Sequence, residues 1–356
     1  MTTTVSQKQI LDALSKVNDP ELHRSLTDLN MVRKVEVREG AVEITLAITV
    51  PNCPFKGQIE SDVRAAVRAL PGVKEVIVHM GAMTEEERKA LMGAPAEGSA
   101  AKYNRVQRVV AVMSGKGGVG KSLVTGLLAA ALSRKGYGVG ILDADITGPS
   151  IPMLLGLQGP VEPGPVGLRP LQSRVGVKVM SMNFLLPNED QPVIWRGPLI
   201  GKAITQLWGD VMWGELDYLL VDLPPGTSDA ALSTMQSLPV RGIVMVTTPQ
   251  GLSSMIVRKA VHMAQAVGVP ILGVVENMAY FTCSETGKHH LIFGPSHANE
   301  VALAAGAPLL AQLPINPDVA ALCDGGHVED VTLAETEGLI DAFIKAAPVQ
   351  AGKQHG

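Results

Sequence analysis

Residues 113–122 read MSGKGGVGKS, and their reading decides the fold. The pattern G-x-x-x-x-G-K-[ST] runs through Gly115, Lys116, Gly117, Gly118, Val119, Gly120, Lys121 and Ser122. An apolar stretch, VQRVVAVM (106–113), precedes it, and LVTGLLAAALSRKG (123–136), with a helix-like pattern, follows. In a strand–loop–helix setting the glycines leave backbone N–H groups free to close round phosphates, and the helix N-terminus adds its positive end. Lys121 is placed to reach β and γ phosphates, and Ser122 to coordinate Mg²⁺. The pattern needs only that lysine, so Lys116 asks for a separate explanation.

Working outward, apolar strands alternate with helices. YGVGILDAD (137–145), VGVKVMSM (175–182), LDYLLVDLPP (216–225), RGIVMVTTP (241–249) and PILGVVEN (270–277) join the first strand. Nearly continuous apolar runs suit strands covered on both faces, so the fold class is α/β with a doubly wound, mostly parallel sheet. Ligands of such sheets bind at the carboxyl ends of the strands. Asp143 and Asp145 end the second strand there, and Asp222 ends the fourth before a Pro-Pro-Gly turn. Carboxylates beside a phosphate loop hold Mg²⁺ and orient an attacking water.

Ahead of this domain, ILDALSKV (10–17), VRKVEV (32–37), AVEITLAITV (41–50), a helical pattern from Gln58 to Leu70 and VKEVIVHM (73–80) give an αββαβ order, a small α+β domain. The stretch TEEERKALMGAPAEGSAAKYN (84–104) goes from charged to small residues and Pro, and reads as a linker that begins with a short helix. The boundaries are therefore 1–83, 84–104, 105–347 and a tail, 348–356.

Net charge is −4, from 30 Lys and Arg against 34 Asp and Glu, which gives no reason to expect nucleic acid. No apolar run reaches the roughly eighteen residues of a membrane span, and the polar start MTTTVSQKQ lacks a signal-peptide core, so the expected location is cytoplasmic. Cys53, Cys283 and Cys323 are too few and too scattered for a disulfide framework; each is buried filler or chemistry.

The loop GKGGVGKS resembles the deviant phosphate loop of the MinD, ParA and nitrogenase iron protein class, in which the early lysine reaches across a dimer to the partner's nucleotide. That resemblance implies a homodimer and a trans role for Lys116. Within the class, DADITGPSIP (143–152), VIWRGPLIGKAITQL (193–207), DLPPGTSD (222–229) and GVVENMAYFTC (273–283) followed by IFG (292–294) resemble the Mrp/ApbC iron–sulfur cluster carrier family, a P-loop NTPase domain. The resemblance implies ATP hydrolysis, with Asp145 positioning the lytic water, Asp143 and Asp222 near Mg²⁺, and Asn277 facing the adenine. It implies a bound iron–sulfur cluster, a labile 4Fe–4S, and as partners apo iron–sulfur proteins and assembly proteins. LSKVNDPELHRSLTDLNMV (14–32) and ITVPNCPFKGQIESDVRAAV (48–67) resemble the SufT-like domain of iron–sulfur assembly, with Cys53 on its TxxxCP motif. Cys53 is either buried filler or a thiolate for transient cluster contact.

One departure stands out. Many members carry C-x-x-C after ENMSxF, whereas this chain has Cys283 and then Thr286. Two thiolates per dimer leave a four-iron cluster short of protein ligands, so small thiols, His289, His290 or Cys53 would complete it. The alternative reading is a nucleotide-switched dimeric adaptor, or a MinD/ParA-class spatial regulator, without a stable cluster. The tail KAAPVQAGKQHG (345–356) lacks the basic amphipathic helix that membrane recruitment would need.

Overall fold

The computed structural model describes residues 5–20, 24–38, 40–48, 55–84, 99–146, 148–185, 197–227, 229–250 and 252–350. Cys53, residues 85–98 with the expected short helix, and Trp195-Arg196 lie outside them. The chain divides into two compact units, Met1–Ser99 with Pro163–Gly167, and Ala100–Glu162 with Leu168–Gly356.

The first unit has the αββαβ order. Its first helix, Gln7–Leu14, starts at a reciprocal cap: the Ser6 hydroxyl accepts from Gln9 N–H while the Gln9 side chain accepts from Ser6 N–H. Strands β1 (Val32–Arg38) and β2 (Ala41–Ile48) are antiparallel, and β3 (Glu75–Ala82) returns parallel to β2 after the helix Lys56–Arg68. Ile10 and Leu14 from one helix, Ile59, Val63 and Val67 from the other, and Ile44 and Leu46 from β2 are all fully buried. Their spacing of four on the helices and of two on the strand is the periodicity legible in the sequence.

The second unit is built on an eight-stranded sheet. Its strands in chain order are β4 (Arg105–Ser114), β5 (Val139–Asp143), β6 (Leu171–Gln172), β7 (Lys178–Ser181), β8 (Glu215–Asp222), β9 (Gly242–Thr247), β10 (Ile271–Glu276) and β13 (Leu309–Gln312). They lie in the order β13-β10-β9-β4-β8-β5-β7-β6, and every pairing is parallel except that of the edge strand β6 with β7. All of β5, β9 and the last seven residues of β8 are buried, which parallel strands achieve only under helices on each face. The short edge strands β6 and β13 carry no long apolar run, and the sequence reading had not foreseen either. A separate small hairpin pairs β11 (Phe281–Thr282) with β12 (His289–His290).

The order of strands places the functional loops. From β4 the chain runs outward through β5 and β7 on one side, then through β9, β10 and β13 on the other. The direction reverses beside β4, whose end carries the glycine loop, and a doubly wound sheet opens its binding crevice at such a reversal.

The C-terminal helix Ala334–Ala346 closes the core from the far end of the chain. Phe343 is fully buried with its ring centroid 5.3 Å from that of Tyr218 on β8, and the Tyr218 hydroxyl donates to the Ala347 carbonyl at 2.8 Å. Phe343→Ala is expected to lower the stability of this unit by about 3–5 kcal/mol. Tyr218→Phe, which removes only the hydrogen bond, should cost about 1 kcal/mol. Chemical denaturation of the two variants tests both, and equal losses would mean that the ring packing is not what holds this helix.

Candidate nucleotide site and cysteine hairpin

The glycine loop leaves β4 at Ser114 and enters the helix Lys121–Arg134 through Gly120, whose φ is +81°. Gly118 also has positive φ, +76°. Gly120 has a second constraint, because a Cβ there would collide with the side-chain amide of Asn277. That amide is 2% exposed and donates to the Val119 carbonyl at 3.0 Å. Asn277 therefore pins the loop, a contact additional to the adenine-facing position expected from the sequence. The base of the loop is tied as well: the Ser114 hydroxyl donates to the Lys116 carbonyl at 2.9 Å, and Gly226 N–H, from the Pro-Pro-Gly turn, donates to the Ser114 carbonyl at 3.0 Å.

Below the loop the charged residues converge. Asp222 ends β8 fully buried. Its Oδ2 lies 2.7 Å from Lys121 Nζ and accepts the Ser122 hydroxyl at 2.5 Å; its Oδ1 accepts the Thr125 hydroxyl at 2.8 Å. Asp143 stands opposite Asp222 in the β5–β8 register and is 1% exposed. It accepts the Asp145 N–H at 3.2 Å and the Ser181 hydroxyl at 3.3 Å. Burial pushes the Asp143 carboxyl well above the usual carboxylate range, Asp222's charge pushes it further, and Lys121 only partly offsets them. Asp145 is 9% exposed at the mouth of the same strand.

These groups fit a magnesium ion. Ser122, Asp222 and Asp143 are hard oxygen donors, and the two carboxylates stand opposite each other in the β5–β8 register. Among the described residues no group of three or more His, Cys, Asp and Glu side chains is disposed to hold a metal. Mg²⁺ commonly takes one or two carboxylates and completes its shell with phosphates and water.

Lys116 is separate from this cluster. It is partly buried, and its Nζ donates to Gln250 Oε1 in the loop after β9. The sequence reading named neither Gln250 nor Thr125 nor Ser181. Thr125 was within reach of it, since it lies four residues after Lys121 on the same face of the helix. Ser181 and Gln250 sit at strand ends with no motif to mark them.

Cys283 follows β11 in the hairpin. Its N–H donates to the Lys288 carbonyl at 3.0 Å and its carbonyl accepts Gly287 N–H at 2.8 Å. The thiol is held below its ordinary pKa by the Thr286 side chain first, then by the backbone N–H groups of Thr286 and Glu285. Thr286 thus acts as a donor to the sulfur, where the family pattern has a second sulfur. His289 and His290 are exposed and, being neighbours on a strand, point to opposite sides; the His289 ring meets Tyr280, centroids 4.3 Å apart. Among the described residues of one chain, no group of three or more His, Cys, Asp and Glu side chains that could hold a metal includes Cys283, His289 or His290. Cys323 is core filler: 8% exposed, its thiol pushed up by burial and then by Asp324. No helix among the described residues is long and apolar enough to cross a membrane.

Comparison with known proteins agrees with this geometry. Residues 105–347 match the model of the NUBPL iron-transfer P-loop NTPase family, and residues 7–78 that of an iron–sulfur cluster assembly protein family. The chain is 44% identical over 341 residues to an iron–sulfur cluster carrier protein of Deinococcus radiodurans, covering 95% of this chain and 92% of that one. It is 43% identical over 312 residues to one from Synechocystis, covering 86% of each. Among solved structures, a nucleotide-binding protein of Archaeoglobus fulgidus in complex with ADP is 43% identical, with a TM-score of 0.61 over 68% of this chain and 96% of that one. The MinC:MinD cell division protein complex of Aquifex aeolicus, at 18% identity and a TM-score of 0.51 over 70% of this chain and 98% of that one, shares the fold alone.

The pinning of the loop by Asn277 can be measured. Asn277→Ala should weaken nucleotide binding by about five- to tenfold, the worth of roughly one hydrogen bond. Asn277→Asp should weaken it more, because it sets a carboxylate against the Val119 carbonyl. Calorimetric titration with ADP and Mg²⁺ reads both, and wild-type affinity in the two variants would show that the loop holds its shape unaided.

Proposed function

Because this chain belongs to the NUBPL iron-transfer P-loop NTPases, we propose that it is an ATP-hydrolysing carrier that binds an iron–sulfur cluster and passes it to apoproteins. The observation that carries the reading is the pairing, in one compact unit, of a complete phosphate loop over Lys121, Ser122 and Asp222 with a surface hairpin that stabilises the Cys283 thiolate. The names of the relatives favour carriage over a spatial regulator.

In this reading the backbone of Gly115–Gly120 cradles the phosphates and Lys121 exchanges part of its contact with Asp222 for the β and γ phosphates. Mg²⁺, when bound near Ser122, Asp222 and Asp143, draws charge from the γ-phosphate. Asp145 orients a water whose oxygen attacks the γ-phosphorus. The bond to the β–γ bridging oxygen breaks, ADP leaves with the electron pair, and Asp145 takes up the water's proton. Asn277 lies on the adenine side, and Lys116 serves the partner's nucleotide in a homodimer. The cluster is cargo, a labile 4Fe–4S held by Cys283 of each subunit and completed by small thiols, His289 or His290. The protein works in the cytoplasm, with apo iron–sulfur proteins and assembly proteins as partners.

The trans role of Lys116 is tested by complementation. Lys116→Ala and Asp145→Ala should each be nearly inactive in ATP hydrolysis. Mixed and allowed to exchange subunits, they form heterodimers in which one of the two sites has both groups, so part of the activity should return. Absence of recovery after demonstrated exchange would place Lys116 in its own subunit's site.

The cargo site is tested separately by anaerobic reconstitution with iron and sulfide. Cys283→Ser should lose the cluster, and Thr286→Cys should bind it with greater resistance to chelators, since a thiolate is the stronger iron ligand. Unchanged iron and sulfide content in Cys283→Ser would move the cluster site elsewhere.

A further inference from the structure

Lys116 and Lys121 belong to the same loop but are held in opposite ways. Lys121 is 6% exposed and ion-paired with a fully buried carboxylate. Lys116 Nζ donates to a neutral amide oxygen, that of Gln250, and no carboxylate among the described residues lies within ion-pair distance of it. Gln250 is exposed in Thr248-Pro249-Gln250, directly after β9, and β9 is hydrogen-bonded to β4 with Val246 opposite Ser114. The two loops that carry Lys116 and Gln250 therefore issue from adjacent strand ends. The main chain of Lys116 is fixed by the Ser114 hydroxyl, so its side chain is the part left to move.

We propose that Gln250 is a positioning residue that parks Lys116 against its own subunit until a nucleotide-loaded partner presents phosphates to it. This rests on the trans reading of Lys116 and adds the residue that regulates it. A neutral holder suits the task. It fixes the direction of a long, rotamer-rich side chain and leaves the positive charge uncompensated, so phosphate oxygens with formal charge outcompete an amide oxygen. A carboxylate at position 250 would hold the lysine in an ion pair that the partner's nucleotide must break. The geometry also ties the lysine to β9, so movement of that strand end bears directly on dimer formation.

The test uses the full-length protein. Sedimentation velocity in adenylyl-imidodiphosphate and Mg²⁺ gives the dimer dissociation constant, and steady-state hydrolysis across protein concentrations gives its functional counterpart. Gln250→Glu should raise the dimer dissociation constant about fivefold, the upper range for an exposed ion pair. Gln250→Ala should lower it about threefold by releasing the lysine. Gln250→Asn, too short to keep the contact, should follow Gln250→Ala and serves if that variant folds poorly. In a Lys116→Ala background Gln250→Glu should add nothing, because the effect passes through the lysine.

A merely structural role for Gln250 would weaken dimerisation in all three variants, and that result would overturn the proposal. Loss of dimerisation in Lys116→Ala with wild-type behaviour of the Gln250 variants would overturn the parking role alone. Wild-type dimerisation and turnover in Lys116→Ala would overturn the trans reading and the parking role together.

Discussion

The buried pair of Lys121 and Asp222 is the interaction on which the rest of the site depends. A lysine 6% exposed and a carboxylate fully buried are tolerable only together, since removing one member of such a pair costs about 3–5 kcal/mol. Two hydroxyls, Ser122 and Thr125, take up the remaining capacity of the carboxylate. The pair fixes the first turn of the helix to the end of β8, and thereby the height of the glycine loop above the sheet. It also makes the site responsive. A phosphate arriving at Lys121 competes with Asp222, and the charge released from Asp222 is what a divalent cation at Ser122 would neutralise. Asp143 is pushed toward its protonated form by its burial first and by the charge of Asp222 second.

The end of β10 links this cluster to the cysteine hairpin through three successive residues. Asn277 holds the loop at Val119. Glu276, fully buried, accepts from the Ser296 hydroxyl and from the Gln312 amide, each at 2.7 Å, and so ties the strand to the chain that returns from the hairpin. Met278 takes a positive φ of +59°, a costly conformation for a side-chain-bearing residue outside a turn-forming glycine. It aims the chain from the strand toward β11 and Cys283. The stretch from Asn277 to Cys283 is seven residues long and bonded at both ends.

Much of this was legible in the sequence because it follows from repeated, local rules. Strands β4, β5, β7, β8, β9 and β10 announced themselves as apolar runs, and the αββαβ unit through its periodicities of two and of three to four. Gly120, Lys121 and Ser122 were readable from spacing alone. What escaped was non-local. β13 is four residues long and is a strand because β10 offers it an edge, and β6 has only two residues. Gln250 meets Lys116 across 134 residues of chain, and Thr125 meets Asp222 across 97. Asn277 was expected at the adenine, and its contact with Val119 depends on a loop approach that only the packed sheet defines.

Thr286 shows why replacing a ligand does not simply delete a function. A second cysteine would contribute another thiolate, and two neighbouring anions raise the cost of ionising each. A threonine hydroxyl instead donates to Cys283, and with the N–H groups of Thr286 and Glu285 it favours the thiolate without a competing charge. The remaining thiol is thus held below its ordinary pKa, while the segment offers one sulfur where the family pattern has two. The chain that follows the hairpin exposes three apolar residues in succession, Leu291, Ile292 and Phe293, a surface whose covering would be favoured because it removes apolar area from water.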